Sequence, residues 1–423
     1  MLLHETSAVN DENGRRFVLT EELSSGGQGT VYRTQSSTDL VKLFNGERNA
    51  LEVIARVRRM PLAGLPVARP MSLVSDPNGY TLQFQRDMEV VRSMKYAHKN
   101  SVTDWWLDTG GLVRRLWLGA KIASIFERLQ SRGLVYGDVS SNNIMVSKSA
   151  DFTEVSLIDL DNLFYFGERD SAEVWTPTYS APEIAVNSSV PTFASDNFSL
   201  AVILFELITM VHPFMDGDFV KIAETDSERY ELALRCMVPS VIDSSGENIC
   251  SRYPIQNEQE LIGQPLLDLF NKTYKTKNVD VDERVSAGQF RLNLVRAALS
   301  TIECNGKDCA WSYSLANLTS CPKCNHQEPY SRMSISSPDG AVVAYEIILG
   351  STKKVIDLAL LFPVLQERAR VSGSYVIEVL MLNGKARVVA RNSSVVDVPR
   401  NIGISTNVKV EGLGDVKFEV VKR

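Results

Sequence analysis

The chain has 423 residues, which at roughly one domain per 150 residues points to two or three domains. Its 44% hydrophobic and 23% charged residues are those of a globular protein, which excludes disorder over most of the length and collagen-like or coiled-coil architectures. The net charge of −6 excludes a chain built around a broad nucleic-acid surface.

The first residues place charges where a secretion signal needs an apolar core, so a cytoplasmic protein is expected. Runs at 17–23, 31–34 and 40–44 are rich in β-formers and separated by Gly and Ser clusters, and so read as strands. A helical stretch at 48–60 is broken by Pro61, Pro66 and Pro70, and 80–85 reads as a further strand. From residue 103 helices take over, with 112–132 the clearest. The apolar run 198–211 contains Glu206 and falls short of the roughly 18–20 residues that cross a bilayer. It reads as one buried helix, so no membrane partner is expected. Beyond a short cysteine-bearing segment, β-branched runs at 341–349, 374–382, 386–390, 407–410 and 416–421 predict an all-β module, a sandwich. The Ser-rich stretch 331–338 reads as the linker into it. The expected division is a tail at 1–14, a two-lobed α+β domain at 15–300 (lobes 15–88 and 89–300), a cysteine segment at 301–328 and a β-rich domain at 329–423.

Gly26, Gly27 and Gly29 lie in a hairpin between two predicted strands and precede Val31. Such a loop can lie over phosphate oxygens and offer them backbone N–H groups. Lys42 stands inside the apolar strand 40–44, where burial is costly without a partner. A lysine there can reach under the glycine loop to phosphates if a carboxylate from the next helix fixes it. Glu47 and Glu52 are available, and Glu52, well inside that helix, is the expected partner. Further on, Asp138 and Asn143 form a compact polar loop bracketed by apolar strands. Asp159 then follows an apolar strand, and hard oxygen ligands of this kind suit Mg²⁺ together with substrate phosphates.

In this order the landmarks resemble the eukaryotic-like Ser/Thr protein kinases, of a bacterial cytoplasmic type with a zinc motif after the kinase domain. The family pattern G-x-G-x-x-G-x-V, V-A-I-K, H-R-D-L-x-x-x-N, D-F-G and A-P-E appears as Ser24-x-Gly26-x-x-Gly29-x-Val31, Leu40-Val41-Lys42, Tyr136-Gly137-Asp138 through Asn143, Asp159-Leu160-Asp161, and Ala181-Pro182-Glu183. Asp196, His212-Pro213-Phe214 and Arg284 match later landmarks. The resemblance implies a bilobal kinase fold and ATP- and Mg²⁺-dependent phosphoryl transfer to Ser/Thr of a protein substrate. It assigns Asp138 as catalytic base, Asn143 and Asp159 as Mg²⁺ ligands, and Lys42 as the clamp on the α/β-phosphates. Val31 would pack on the adenine, and the strand near Phe84 would lead into backbone hydrogen bonds to it. Residues 176–183 resemble the peptide-docking loop, which disfavours a small-molecule kinase.

Several positions depart from the pattern. Ser24 replaces the first glycine, Gly137 an arginine, Ser140 a lysine, and Leu160-Asp161 the Phe-Gly of the metal-binding triplet. Asp161 could add a metal ligand, and these departures make a nucleotide-binding scaffold the alternative. Cys304, Cys309, Cys321 and Cys324 form two close pairs suited to structural Zn²⁺, with His326 a possible substitute for Cys324. Cys236 and Cys250 read as buried free thiols. The β-rich tail is expected to bind a partner, such as a regulator or phosphatase.

Overall fold

Alternating apolar residues in the first 90 residues pair into one antiparallel sheet. Its strands are β1 (Ala8–Asn10), β2 (Arg16–Gly26), β3 (Gly29–Thr34), β4 (Asp39–Phe44), β5 (Leu73–Val74) and β6 (Gly79–Gln83), in the order β1-β2-β3-β4-β6-β5. Helix α1 (Ala50–Arg59) lies against this sheet because Ala50, Val53, Ile54 and Val57 recur on one face. Asn49 caps it by accepting from the Leu51 N–H. The computed structural model describes residues 8–421 except 47–48, 96–100, 169–175, 187, 219–224, 236–237, 247, 251–262, 276–280, 316–317, 350–352, 367–374, 383–384, 391–404 and 412. The expectations on Glu47 and Cys236 fall outside the described residues, while Cys250, expected to be buried, is half-buried.

The second lobe is built around two long helices, α3 (Gly111–Gln130) after the short α2 (Val102–Asp108), and α5 (Phe193–Thr209) after the short α4 (Pro182–Ala185). A capping box between Thr192 and Ser195 starts α5, and every residue from Ser195 to Thr209 is buried. The charge of Glu206 within this apolar helix is matched by Lys95, 2.8 Å away. The Tyr179 hydroxyl donates to the same carboxylate at 2.8 Å. The helices α6 (Asp226–Leu234), α7 (Gln264–Tyr274) and α8 (Ala287–Ser300) complete the lobe, with α8 against α3. Facing the first lobe are short strands β7 (Met88–Val90), β8 (Leu134–Val135), β9 (Ile144–Ser147), β10 (Val155–Leu157) and β11 (Phe164–Tyr165). They form two small sheets, β10-β9-β7 and β11-β8.

The cysteine segment is a hairpin of β12 (Thr301–Glu303) and β13 (Ser312–Ser314) followed by a turn carrying the second cysteine pair. The tail holds two sheets, β15-β14-β20-β19 and β16-β17-β18. Their strands are β14 (Ser331–Ser336), β15 (Val342–Leu349), β16 (Lys354–Asp357), β17 (Val376–Leu382), β18 (Lys385–Ala390), β19 (Ser405–Val410) and β20 (Gly414–Val421). The expected linker is thus an interior strand. Met333 and Ile335 are buried while their neighbours are less so, a period-2 pattern that pairs β14 with both β15 and β20. The tail is also not purely β, since α9 (Leu358–Leu361) and α10 (Pro363–Gln366) follow β16.

These two short helices dock the tail on the second lobe. Buried Arg291 of α8 donates to Glu127 Oε2 at 2.6 Å and to the Leu360 carbonyl. Ser124 Oγ donates to Gln366 Oε1 at 2.7 Å. The apolar core is continuous from the second lobe into the tail, whereas Ile302, Tyr313 and Leu315 form a separate cluster with the cysteines.

Candidate active site

The polar loop between β8 and β9 is held from below by α5. Asp196, on the first turn of that helix, accepts from the Tyr136 N–H at 2.7 Å and the Gly137 N–H at 3.1 Å. Gly137 has φ +81°, and a Cβ there would meet the Phe164 ring at 3.2 Å, so a side chain would be strained in conformation and crowded by that ring. The next residue, Asp138, is buried, with Oδ1 accepting from the Thr176 hydroxyl at 2.7 Å. Asn143 Nδ2 donates to the Asp138 carbonyl at 3.0 Å and to its Oδ2 at 3.3 Å. Burial, with a smaller contribution from the Asp159 charge, raises the Asp138 carboxyl above its ordinary value. Ser140, in the position of the missing lysine, is also buried.

Asp159 follows β10 in the left-handed region at φ 57°, and a single 3₁₀ turn covers Leu160–Asn162. This turn delivers two carboxylates to one lysine. Lys42 Nζ donates to Asp159 Oδ1 and to Asp161 Oδ2, both at 2.7 Å. Burial alone pulls the ammonium's pKa down, but Asp159 and then Asp161 outweigh it, and the net shift is upward. The expected Lys42–Glu52 pair is not present. Glu52 sits on the exposed face of α1, where Asn49 Nδ2 donates to it at 3.2 Å. The helix turns Val53, Ile54 and Val57 inward, and that leaves Glu52 on the other side.

The glycine hairpin is the end of β2 and the start of β3. Gly26 and Gly27 are exposed, and a Cβ on either would meet nothing within 4 Å. Gly29 is different, because a Cβ there would fall 2.4 Å from the Leu43 carbonyl oxygen of β4. Its role is close backbone packing that folds the hairpin over Lys42. Val31 is the direct cross-strand partner of Lys42. The structure therefore brings Lys42, Asp159, Asp138, Asn143 and the hairpin together between the lobes, and it leaves out Glu52.

A shallow depression beside Asp138 is lined by Thr176, Ser180, Ile184, Pro191 and Asp196 among others. Its wall is fixed by Arg284, whose guanidinium grips Glu183 with both ends at 2.6 and 2.7 Å. Sequence reasoning missed the Lys95–Glu206 pair, Tyr80 and Arg56. The one hint for Tyr80 was an aromatic residue in the strand next to Lys42, whose cross-strand neighbour it is.

The four cysteine sulfurs Cys304, Cys309, Cys321 and Cys324 lie within 4.8 Å of one another. Cys304–Cys324 and Cys309–Cys321 are 3.4 and 3.8 Å apart. Tetrahedral Zn–S bonds of about 2.3 Å give sulfur–sulfur edges of about 3.8 Å, so the donor set fits zinc. His326 instead pairs with Glu328, Nε2 to Oε2 3.3 Å. Trp311 of this segment stacks on Trp106 of α2, with centroids 6.5 Å apart.

The protein kinase domain family matches residues 84–335. A probable serine/threonine-protein kinase of Clostridium perfringens is 24% identical over 48% of the chain and 30% of its own length. A probable cAMP-dependent protein kinase catalytic subunit of Encephalitozoon cuniculi is 24% identical over 41% of the chain and 54% of its own. The serine/threonine-protein kinase AfsK of Streptomyces coelicolor is 25% identical over 47% of the chain and 25% of its own. The chain thus spans between a quarter and about half of these relatives.

Proposed function

Since the chain belongs to the protein kinase domain family, we propose that it transfers the γ-phosphoryl group of Mg²⁺-ATP to serine or threonine of a protein substrate. The observation that carries this reading is the Thr176 hydroxyl held by Asp138. A side-chain hydroxyl donates to the carboxylate that would take the acceptor's proton, at 2.7 Å. Asn143 holds the second oxygen of that carboxylate, so its direction is set before an acceptor arrives.

Phosphoryl transfer needs mainly in-line positioning and neutralised phosphate charge. Lys42 supplies a cation, Gly26 and Gly27 leave room for phosphates near the hairpin's backbone N–H groups, and Asn143 with Asp159 are the residues that would hold Mg²⁺. The metal, when bound, would neutralise charge on the transferring phosphoryl group. Val31 and the segment after Phe84 are the walls for the adenine. The loop 176–183, tied to Asp138 at Thr176 and to Arg284 at Glu183, supports a polypeptide acceptor.

The four cysteines are read as a structural zinc site, because all positions of a tetrahedron are filled by thiolate. Among the described residues no helix is long and apolar enough to cross a membrane. The undisulfided thiols of Cys304, Cys309, Cys321 and Cys324 support a reducing, cytoplasmic setting. The tail is the surface for a regulator or phosphatase, a reading supported by exposed Val389 on the outer strand β18. The test is incubation of the full chain with γ-labelled ATP, Mg²⁺ and a generic Ser/Thr protein substrate. Label should appear on Ser or Thr, and Asp138→Asn should remove it. Equal labelling by Asp138→Asn would overturn the assignment.

A further inference from the structure

Lys42 is 5% exposed, and its extended position under the hairpin requires a fixed counter-charge. The two carboxylates that hold it are not equivalent. The Asp159 side chain is 26% exposed and the Asp161 side chain fully buried. Asp161 uses both of its oxygens on protein donors. Oδ2 accepts from Lys42 at 2.7 Å, and Oδ1 accepts from the Tyr80 hydroxyl at 2.5 Å. Tyr80 faces Lys42 across the β4–β6 ladder, so the three side chains converge from two adjacent strands and one turn.

Helix α1 contributes to this arrangement with the opposite sign. It offers no carboxylate toward Lys42 among its described residues; instead, Arg56 donates to the Asp161 carbonyl. The helix clamps the turn with a cation, and the turn clamps the lysine with an anion. A glycine in the place of Asp161 would keep the carbonyl that Arg56 grips but would offer Lys42 no anion.

We propose that Asp161 is the positioning residue of the nucleotide lysine, in place of a carboxylate from α1. Asp159, the more open of the pair, is the partner that can turn toward a metal, while Asp161 keeps Lys42 in place. Lysine and metal-binding carboxylate are thereby fixed by one turn, and neither depends on a carboxylate swinging in with α1. The role of Lys42 toward phosphate rests on the function proposed above.

The experiment compares wild type, Asp161→Asn, Tyr80→Phe and Glu52→Gln as full chains, by equilibrium binding of a fluorescent ATP analogue with Mg²⁺ and by steady-state kinetics. Asp161→Asn should weaken nucleotide binding and raise the KM for ATP at least tenfold, with the KM for protein substrate unchanged. Tyr80→Phe, which keeps the ion pair and loses one hydrogen bond, should shift both ATP parameters in the same direction by a smaller factor. It serves as the test if Asp161→Asn does not fold. Glu52→Gln should match wild type. Wild-type nucleotide affinity in Asp161→Asn, or in Tyr80→Phe where only that variant folds, would overturn the proposal, as would an equal loss in Glu52→Gln. If wild type binds nucleotide without transferring phosphate and Asp161→Asn loses that binding, the positioning role stands and the transferase reading fails. If wild type binds no nucleotide, both fail.

Discussion

Thr176 and Asp138, separated by 38 residues in the chain, are joined by a 2.7 Å hydrogen bond between hydroxyl and carboxylate. The bond fixes the near end of the loop 176–183 to the loop that carries Asp138, the proposed base. Thr176→Val keeps the shape and removes the donor. A hydrogen bond to a charged group contributes about 1.5–3 kcal/mol, so phosphoryl transfer should slow by about tenfold or more while the KM for ATP stays unchanged. Steady-state kinetics with a protein substrate checks this, and an unaltered kcat would show that the loop is positioned by other contacts.

Much of this site was legible from residue order alone. Asp138, Asn143 and Asp159 stand in short loops after apolar strands, where local sequence fixes both the loop and its direction. The Lys42 partner was not legible, because choosing among carboxylates needs the rotation of α1 about its axis. That rotation is set by Val53, Ile54 and Val57 together with the sheet they meet. Residues 331–338 misled for a related reason. Serine content suggests a linker, while the buried alternation of Met333 and Ile335 shows only once β15 and β20 supply partners. The short helices α9 and α10 leave no periodic signal at four residues each.

Arg284 anchors the far end of the docking loop, with its side chain 2% exposed and that of Glu183 20%. Arg284→Ala would leave a largely enclosed carboxylate without its partner. Breaking such a pair from one side costs about 3–5 kcal/mol. The expected result is a lower denaturation midpoint and loss of transfer. Arg284→Lys should recover only part of the stability, since one ammonium cannot make the two parallel bonds. Full stability in Arg284→Ala would deny the pair its structural role.

Metal removal should act on the ribbon without freeing the tail. Beyond the small cluster of Ile302, Tyr313 and Leu315 the segment has little apolar core, so zinc on the four thiolates would supply much of its folding free energy. Chelation or Cys321→Ser should unfold 301–328 and pull Trp311 off Trp106, which tryptophan fluorescence would report. The tail has its own attachments through Arg291, Gln366 and the continuous core. It should therefore stay resistant to limited proteolysis in the metal-free protein. Rapid cleavage between 329 and 423 after chelation would show that the ribbon is what holds it.

Burial raises the Asp196 carboxyl from an ordinary value of 3.8 to about 7, against the lowering effect of the Tyr136 and Gly137 N–H groups. Between those values the folded state keeps a proton that the unfolded state has released. Stability from this group is therefore present at low pH and is lost as pH rises from about 4 to 7, by roughly 1.4 kcal/mol for each pH step of one within that window. Asp196→Asn cannot titrate. The stability gap between wild type and Asp196→Asn should widen as pH falls from 7.5 to 5, measured by urea unfolding of both proteins across that range. A constant gap would mean that Asp196 is ionised throughout, held by its two N–H donors.

The last expectation concerns how the docking loop becomes active. Where loop phosphorylation gates a kinase, an arginine beside the base gathers the new phosphate through charge-assisted hydrogen bonds. Here that neighbour is Gly137, which offers no cation, and a Cβ there would already crowd the Phe164 ring. Ser171 lies outside the described residues, but Thr176 and Thr178 are placed. Thr176 is engaged by Asp138, and the Thr178 carbonyl lies 2.9 Å from His212 Nε2. A phosphate on Thr176 would break its bond to Asp138 and set like charges side by side, so modification there should inhibit. The loop is thus expected to work unphosphorylated, with control left to the tail or to a partner protein. Phosphatase treatment, mass spectrometry to confirm a bare loop, and an initial-rate measurement form the check. A rate preserved within a factor of two or three is the expected result. A fall of at least tenfold, about 1.4 kcal/mol of barrier, that reverses on rephosphorylation of the loop would refute it.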